Sequence, residues 1–202
     1  MGIYNKNAYD DFKSALDLVC AVVILIITSP LLLLVSMLML IFYGRPIIYR
    51  QARLTAHGKV FYILKLRTMI RDAEAQTGAV WAADGDPRIT PFGRLLRYTR
   101  MDELPQLINV IRGEMSLIGP RPERPEIAEE IQKTIPSFKK RLAVKAGITG
   151  LAQVQTGYAA NIEGCRKKLA FDLLYIKHRS LWLDFLIALR TAGIIITGSG
   201  SK

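Results

Sequence analysis

A chain of 202 residues with 50% hydrophobic content has room for one domain of ordinary size plus an appendage, and enough apolar material for a real core. Its 28 Lys and Arg against 17 Asp and Glu leave a formal charge of +11, which calls for an anionic partner: nucleic acid, acidic lipid headgroups or a heavily phosphorylated substrate. Two cysteines, Cys20 and Cys165, exclude a disulfide framework and a zinc site; both read as small apolar fillers in a protein whose bulk is cytosolic.

The run from Leu18 to Tyr43 carries no charged side chain and is long enough for a membrane segment. It ends in Phe42-Tyr43-Gly44-Arg45-Pro46, with no small-residue cleavage site, so it reads as retained and not as a signal peptide. Straight and helical it would reach about 39 Å, more than the roughly 30 Å of a hydrocarbon slab. Ser29-Pro30 interrupts it, because proline removes an amide donor and presses on the carbonyl four residues back, while the Ser29 hydroxyl can satisfy a carbonyl so freed. A sharp bend there gives a re-entrant hairpin and a mild kink gives an ordinary span; the residues permit both. Arg45, Arg50, Arg53, Lys59, Lys65 and Arg67 after the run place the following domain on the cytoplasmic side, and Lys6 and Lys13 before it lean the other end the same way, which favours the hairpin. The chain thus divides into a membrane segment, 1–44, and a cytoplasmic domain, 45–202.

Ile47–Tyr49 and Lys59–Leu66 read as short strands around the turn Thr55-Ala56-His57-Gly58, and Arg71 to Arg88 as loop. Thr90-Pro91 looks like an N-cap followed by proline at the first helical position, opening a helix through about Tyr98 that carries Arg94 and Arg97 on one face. A second helix starts at Asp102-Glu103 and ends near Arg112-Gly113. Residues 123–141 form a charged helical stretch interrupted by Pro136, read as a solvated face. Leu169–Lys177 and Leu181–Thr197 are further helices, the last either buried in the core or lying in a membrane interface.

Acids at a helix start often serve as simple caps. The setting of Asp102 and Glu103 suggests more, because Arg94, Arg97 and Arg100 come just before and Gly119-Pro120-Arg121-Pro122-Glu123 shortly after. Guanidinium groups gathered around a nucleophilic carboxylate would bind and neutralise a diphosphate, and the prolines stiffen the loop that presents Arg121. Asp84-Gly85-Asp86 offers a rival, the metal-holding Asp-x-Asp of a nucleotide-sugar glycosyltransferase, although Asp-Gly-Asp-Pro is also an ordinary turn. His57 and His178 lack companions at metal spacing.

Five motifs in order, Lys65-Leu66-Arg67-Thr68-Met69, Asp102-Glu103-Leu104-Pro105-Gln106-Leu107, the run Arg112 to Pro122, Gly147-Ile148-Thr149-Gly150-Leu151-Ala152-Gln153-Val154 and Phe171 to Lys177, together resemble the bacterial sugar transferase family, the small monotopic phosphoglycosyl transferases. The resemblance implies an α/β, mostly α fold: an N-terminal re-entrant membrane helix hairpin broken at Ser29-Pro30, and a compact catalytic domain with amphipathic interfacial helices on the cytoplasmic face of the bacterial inner membrane. It implies transfer of a sugar-1-phosphate from a UDP-sugar to polyprenyl (undecaprenyl) phosphate with release of UMP, through a sugar-phosphoryl intermediate on Asp102 with Glu103 assisting. Mg2+ held by Asp102 and Glu103 is the implied cofactor, and Lys65, Arg67, Arg97, Arg121 and Gln153 are the implied substrate contacts. Membrane lipid is then a partner, nucleic acid is not, and a homo-oligomer stays open. Two departures stand out: Ala146 replaces the family's proline before Gly147, and Thr156-Gly157-Tyr158 stands where many relatives have Asn-Gly-Arg. A basic membrane-anchored binding module is the non-enzymatic alternative.

Overall fold

The computed structural model describes residues 8–74, 78, 85–156 and 161–197; Lys6, Asp84 and Tyr158 lie outside them. Helices dominate. Helix α1 runs from Ala8 to Tyr43, followed by an antiparallel hairpin of β1 (Ile48–Leu54) and β2 (Val60–Leu66), helices α2 (Pro91–Tyr98) and α3 (Gln106–Ile111), strand β3 (Ser116–Ile118), α4 (Pro125–Thr134), β4 (Gly147–Thr149), α5 (Leu151–Thr156), α6 (Ile162–His178) and α7 (Leu181–Thr197). The two sheets have two strands each: β1 faces β2 with Ile48 opposite Leu66 and Leu54 opposite Val60, while β3 and β4 pair in parallel, Ser116 opposite Gly147. A parallel pair needs a long crossover, and here α4 and a 3-10 segment, Pro136–Ala143, supply it.

Helix α1 differs from the expected break. Pro30 lies inside a single helical element, and the carbonyl it cannot serve, Ile26 O, accepts the Ser29 hydroxyl at 2.8 Å, while Thr28 Oγ1 donates to Ile24 O at 2.7 Å. The Ser29 hydroxyl thus satisfies the carbonyl that the proline frees without help from surrounding protein. Both ends of α1 are fastened to the same body. Near its start Tyr9 Oη and Lys13 Nζ each reach Asp184 Oδ2 at 2.9 Å, Asp17 accepts from Ser116 Oγ at 2.6 Å, and Arg179 reaches Asp10 at 2.8 Å. Ala21 then enters a core of Phe61, Ile63, Leu107, Val110 and Met115, and farther along Val35 and Met39 pack on Leu66 and Leu96. The stretch between leaves Ile26, Ile27 and Leu33 two-thirds or more exposed.

Strand β1 extends to Leu54, beyond the predicted Tyr49, because the polar Arg50, Gln51 and Arg53 belong to a half-exposed hairpin. The predicted solvated face at 123–141 is instead half core: Ala128, Ile131, Ile135 and Phe138 pack against Cys165 and Leu169, and Arg141 is buried. On α7 the inward positions are Asp184 and Ile187, while Trp182, Phe185, Leu189 and Ile196 face outward, more than half exposed. This is a surface helix with an apolar outer face, not a core helix.

Helix α2 starts as predicted. Thr90 Oγ1 accepts the Gly93 amide at 2.9 Å, with Pro91 in the first turn. Gly93 lets α2 lie against the chain leaving β2, since a Cβ there would stand 2.0 Å from Thr68 O. Gly93→Ala should therefore lower stability by about 1–3 kcal/mol, as overpacking does, and thermal denaturation in detergent should show it; an unchanged melting temperature would mean that α2 can move away freely.

Candidate functional site

The hairpin, the loop after β2, the turn before α3 and the loop after β3 surround an open cleft of about 990 Å³. Lys65, Arg67, Arg97, Arg100, Asp102, Glu103 and Arg121 all line it, and basic side chains outnumber acids on its walls. The sequence thus brought together six of its seven expected site positions and Arg100. Arg94, expected beside Arg97, is exposed outside the cleft, because α2 buries Gly93 and Leu96 and its inward turn carries Arg97 alone.

Asp102 and Glu103 do not open a regular helix. They occupy a short 3-10 turn, Met101–Glu103, preceded by Arg100 in the left-handed region at φ 58° and followed by α3. The reversal at Arg100 turns the two carboxylates inward, where both are buried. Their environments differ sharply. Glu103 Oε1 accepts Lys65 Nζ from β2 and Arg121 Nη2 from the loop after β3, each at 2.8 Å. Asp102 Oδ1 is buried without a hydrogen-bond partner among the described residues. Burial alone would raise both acids, but the Arg121 and Lys65 contacts hold the Glu103 carboxyl well below the usual carboxylate range. For Asp102 burial prevails: opposed by Lys65 and reinforced by the Glu103 charge, it pushes the carboxyl up to about 6.

The loop carrying Arg121 is fastened at each step. Pro120 O accepts Gly147 N at 2.9 Å, Arg121 O accepts Arg141 Nη2 at 2.8 Å, Pro122 O accepts Arg53 Nη1 at 3.1 Å and Glu123 O accepts Leu54 N at 3.0 Å. The expected stiffness therefore comes from tertiary hydrogen bonds as well as from the prolines. Arg97 is aimed by Nε donating to Thr68 Oγ1 at 2.9 Å. Arg67 lines the cleft, but its Nη2 caps the end of α1, donating to Tyr43 O at 2.7 Å and Gly44 O at 3.1 Å.

Gln153 stands apart from the cleft. Its Nε2 donates to Ile148 O at 3.1 Å, at the glycine crossing where a Cβ on Gly147 would meet Gly119 N at 2.1 Å. That motif packs β4 onto β3. Ala146, where the family has proline, donates its amide to Thr55 Oγ1 at 3.2 Å, a bond proline could not make. Asp86 is held by Arg88 through Nε at 2.9 Å and Nη2 at 2.5 Å, which pulls its carboxyl down to about 2 and commits it to a structural turn.

Sequence reasoning missed the far wall of the cleft and the pair behind it. On the wall Arg124 grips Glu74 with two bonds of 2.9 and 3.0 Å and Lys168 reaches Glu123 at 3.0 Å, while Arg141 pairs with Asp172 at 2.8 Å outside the cleft lining. None has a local spacing that announces it; only the Asp172 motif carried a hint.

The sequence profile of bacterial sugar transferases matches residues 8–198. The chain is 41% identical over 194 residues to the Aeromonas hydrophila UDP-N-acetylgalactosamine-undecaprenyl-phosphate N-acetylgalactosaminephosphotransferase, covering 96% of this chain and 46% of that protein. It is 41% identical over 194 residues to the Caulobacter vibrioides UDP-glucose:undecaprenyl-phosphate glucose-1-phosphate transferase, covering 95% of this chain and 72% of that one. It is 36% identical to the Salmonella typhimurium undecaprenyl-phosphate galactose phosphotransferase, covering 97% of this chain and 43% of that one. The chain thus spans about half the length of several relatives that it matches.

Because the folded state resists ionising Asp102, that residue costs stability once the pH exceeds about 6, and costs nothing below about 4, where the acid is neutral folded or unfolded. Asp102→Asn should therefore stabilise the protein at pH 7.5, on the order of 2–3 kcal/mol, with the gain shrinking as pH falls from 6 to 4. Melting temperatures across that range test it, and a gain independent of pH would contradict a raised Asp102.

Proposed function

Because this chain belongs to the bacterial sugar transferase family, its residues 8–198 matching that profile, we propose that it transfers a sugar-1-phosphate from a UDP-sugar to polyprenyl phosphate, giving polyprenyl-diphosphate-sugar and UMP. The observation that carries this reading is the buried, unpartnered Asp102 Oδ1 beside a Glu103 already neutralised by two cations, in a basic cleft.

In the first step Asp102 Oδ1 attacks the phosphorus that bears the sugar. A phosphorus–oxygen bond forms to Asp102, the bond to the bridging oxygen breaks, and UMP leaves with the electron pair. In the second step a phosphate oxygen of the polyprenyl phosphate attacks the same phosphorus and Asp102 leaves as free carboxylate. Arg97, Arg100, Lys65 and Arg121 surround the diphosphate and stabilise its charge. Raised by burial, the Asp102 carboxyl is still ionised at neutral pH and is a stronger nucleophile than an ordinary carboxylate.

Mg2+ fits the open side of this pair. It favours one or two carboxylates completed by substrate phosphates, and Asp102, whose Oδ1 is unpartnered, would be its first ligand, with Glu103, whose Oε1 is already held by Lys65 and Arg121, beside it. Bound there, the ion would neutralise the diphosphate.

Both ends of α1 grip one body while its exposed middle is apolar, which supports a re-entrant dip into one leaflet at the cytoplasmic face of the inner membrane. The outward apolar face of α7, with Trp182 stacked on Phe185, suits the interface. The reaction would be the first membrane step of a glycoconjugate or exopolysaccharide pathway. The relatives' names carry different sugars, and a panel of UDP-sugars identifies this one.

With labelled UDP-sugar and no lipid, the protein should release UMP and keep the label, Asp102→Asn should lose both signals, and the wild-type rate should fall as pH drops through about 6. UDP release would instead favour the Asp84–Asp86 glycosyltransferase, and salt-sensitive binding with no turnover the basic module. For topology, cysteines introduced at Asp11 and Arg50 in a chain lacking Cys20 and Cys165 should both react with an impermeant maleimide from the cytoplasmic side; labelling of Asp11→Cys from the opposite side alone would establish a span.

A further inference from the structure

The loop that presents Arg121 rests on a buried ion pair that lies outside the reacting groups. Arg141, on the 3-10 segment after α4, and Asp172, on α6, are both almost fully enclosed, with side-chain exposures of 3% and 2%. The fork of Arg141 uses Nε and Nη2, each 2.8 Å from Asp172 Oδ2, and Nη2 also donates to Arg121 O at 2.8 Å. Phe138 lies under the guanidinium at 4.8 Å, so its plane is fixed from below. The groups facing the pair are charged too: Glu123 comes within 3.9 Å of Arg141 Nη1 and is itself bonded to Lys168 at 3.0 Å.

We propose that Asp172 and Arg141 are positioning residues for the transfer site: Asp172 orients the Arg141 fork, Arg141 holds the carbonyl of Arg121, and Arg121 is thereby kept against Glu103 and beside Asp102. The line of contact runs Asp172, Arg141, Arg121, Glu103, with every link at 2.8 Å. A guanidinium suits the middle place because one planar group serves a carboxylate and a carbonyl at once. Neither residue lines the cleft, so neither is expected to touch substrate. A fully buried pair is weak evidence of stability for its own sake, since an apolar replacement often does as well. Its contact with the backbone of Arg121 supplies a reason for it to be ionic.

The inference rests on Asp102 as the nucleophile, and the test keeps the two separable. Lipid-independent UMP release is measured against UDP-sugar concentration, per folded protein, for the wild type, Asp172→Asn, Arg121→Ala and the double variant. If Asp172 acts through Arg121, Asp172→Asn lowers kcat/KM several-fold. In the Arg121→Ala background the same substitution should add no further loss. A purely structural pair would lower the melting temperature and the amount of active protein while leaving kcat/KM per folded protein unchanged, and that result overturns the proposal. So does a loss that persists undiminished without Arg121. Should Asp172→Asn fail to fold, Arg141→Lys carries the same comparison, because an ammonium keeps the charge but lacks the fork. Loss of the underlying reading would look different: Asp102→Asn would release UMP at the wild-type rate, whatever the Asp172 variants do.

Discussion

Glu103 Oε1, held at 2.8 Å by both Lys65 Nζ and Arg121 Nη2, is the contact on which the site depends. It joins β2, the turn before α3 and the loop after β3 at one atom, beside the bonds by which Asn109 of α3 holds Leu64 N and Tyr62 O of β2. Two adjacent buried carboxylates would each be costly to ionise. By directing both cations onto Glu103, the fold keeps that acid charged and leaves Asp102 with the burden of desolvation and with an open oxygen. The difference between the two acids is therefore not in their sequence position, which is nearly the same, but in which of them the neighbouring elements can reach.

How much of this was legible depends on the range of each signal. The start of α2 is written locally: Thr90 accepts an amide three residues on and Pro91 tolerates the lost donor, so its bounds were readable. The same holds for α7, Leu181–Thr197. Helical spacing misled at Arg94, since position on a helix says which residues share a face but not which face the fold turns inward. Strand β1 was cut short because its polar residues line a cleft, so alternation of apolar side chains, the usual strand signal, is missing there. The turn at Asp102 was read as a helix start because the left-handed backbone of Arg100 leaves no trace in residue type.

Long-range ion pairs were the least legible layer. Glu74 with Arg124, Glu123 with Lys168 and Asp172 with Arg141 look in sequence like ordinary surface charges, and 123–141 was read as a solvated face for that reason. Burial decides otherwise, and burial depends on chain segments far apart. Gln153, expected as a substrate contact, lies off the cleft, where its Nε2 donates to Ile148 O beside a crossing of glycines that only the folded chain brings together.

The position of the acids relative to the apolar helix follows from one strand. Arg67, just past the end of β2 with its amide still bonded to Ile47 O at 2.8 Å, caps the last carbonyls at the end of α1, Tyr43 and Gly44, and Lys65, two residues earlier, grips Glu103. A β-strand residue two positions away lies about 6–7 Å along the chain on the same face, so the end of α1 and the carboxylate pair are set at a short, rigid separation. At the other end of the helix, Lys13 and Tyr9 converge on Asp184, which Tyr175 also reaches at 2.8 Å, tying the helix start to α6 and α7. With both ends fixed, the apolar middle of α1 cannot shift without moving the cleft, and under the proposed function that coupling is what would let a soluble donor and a lipid-borne acceptor meet the same carboxylate.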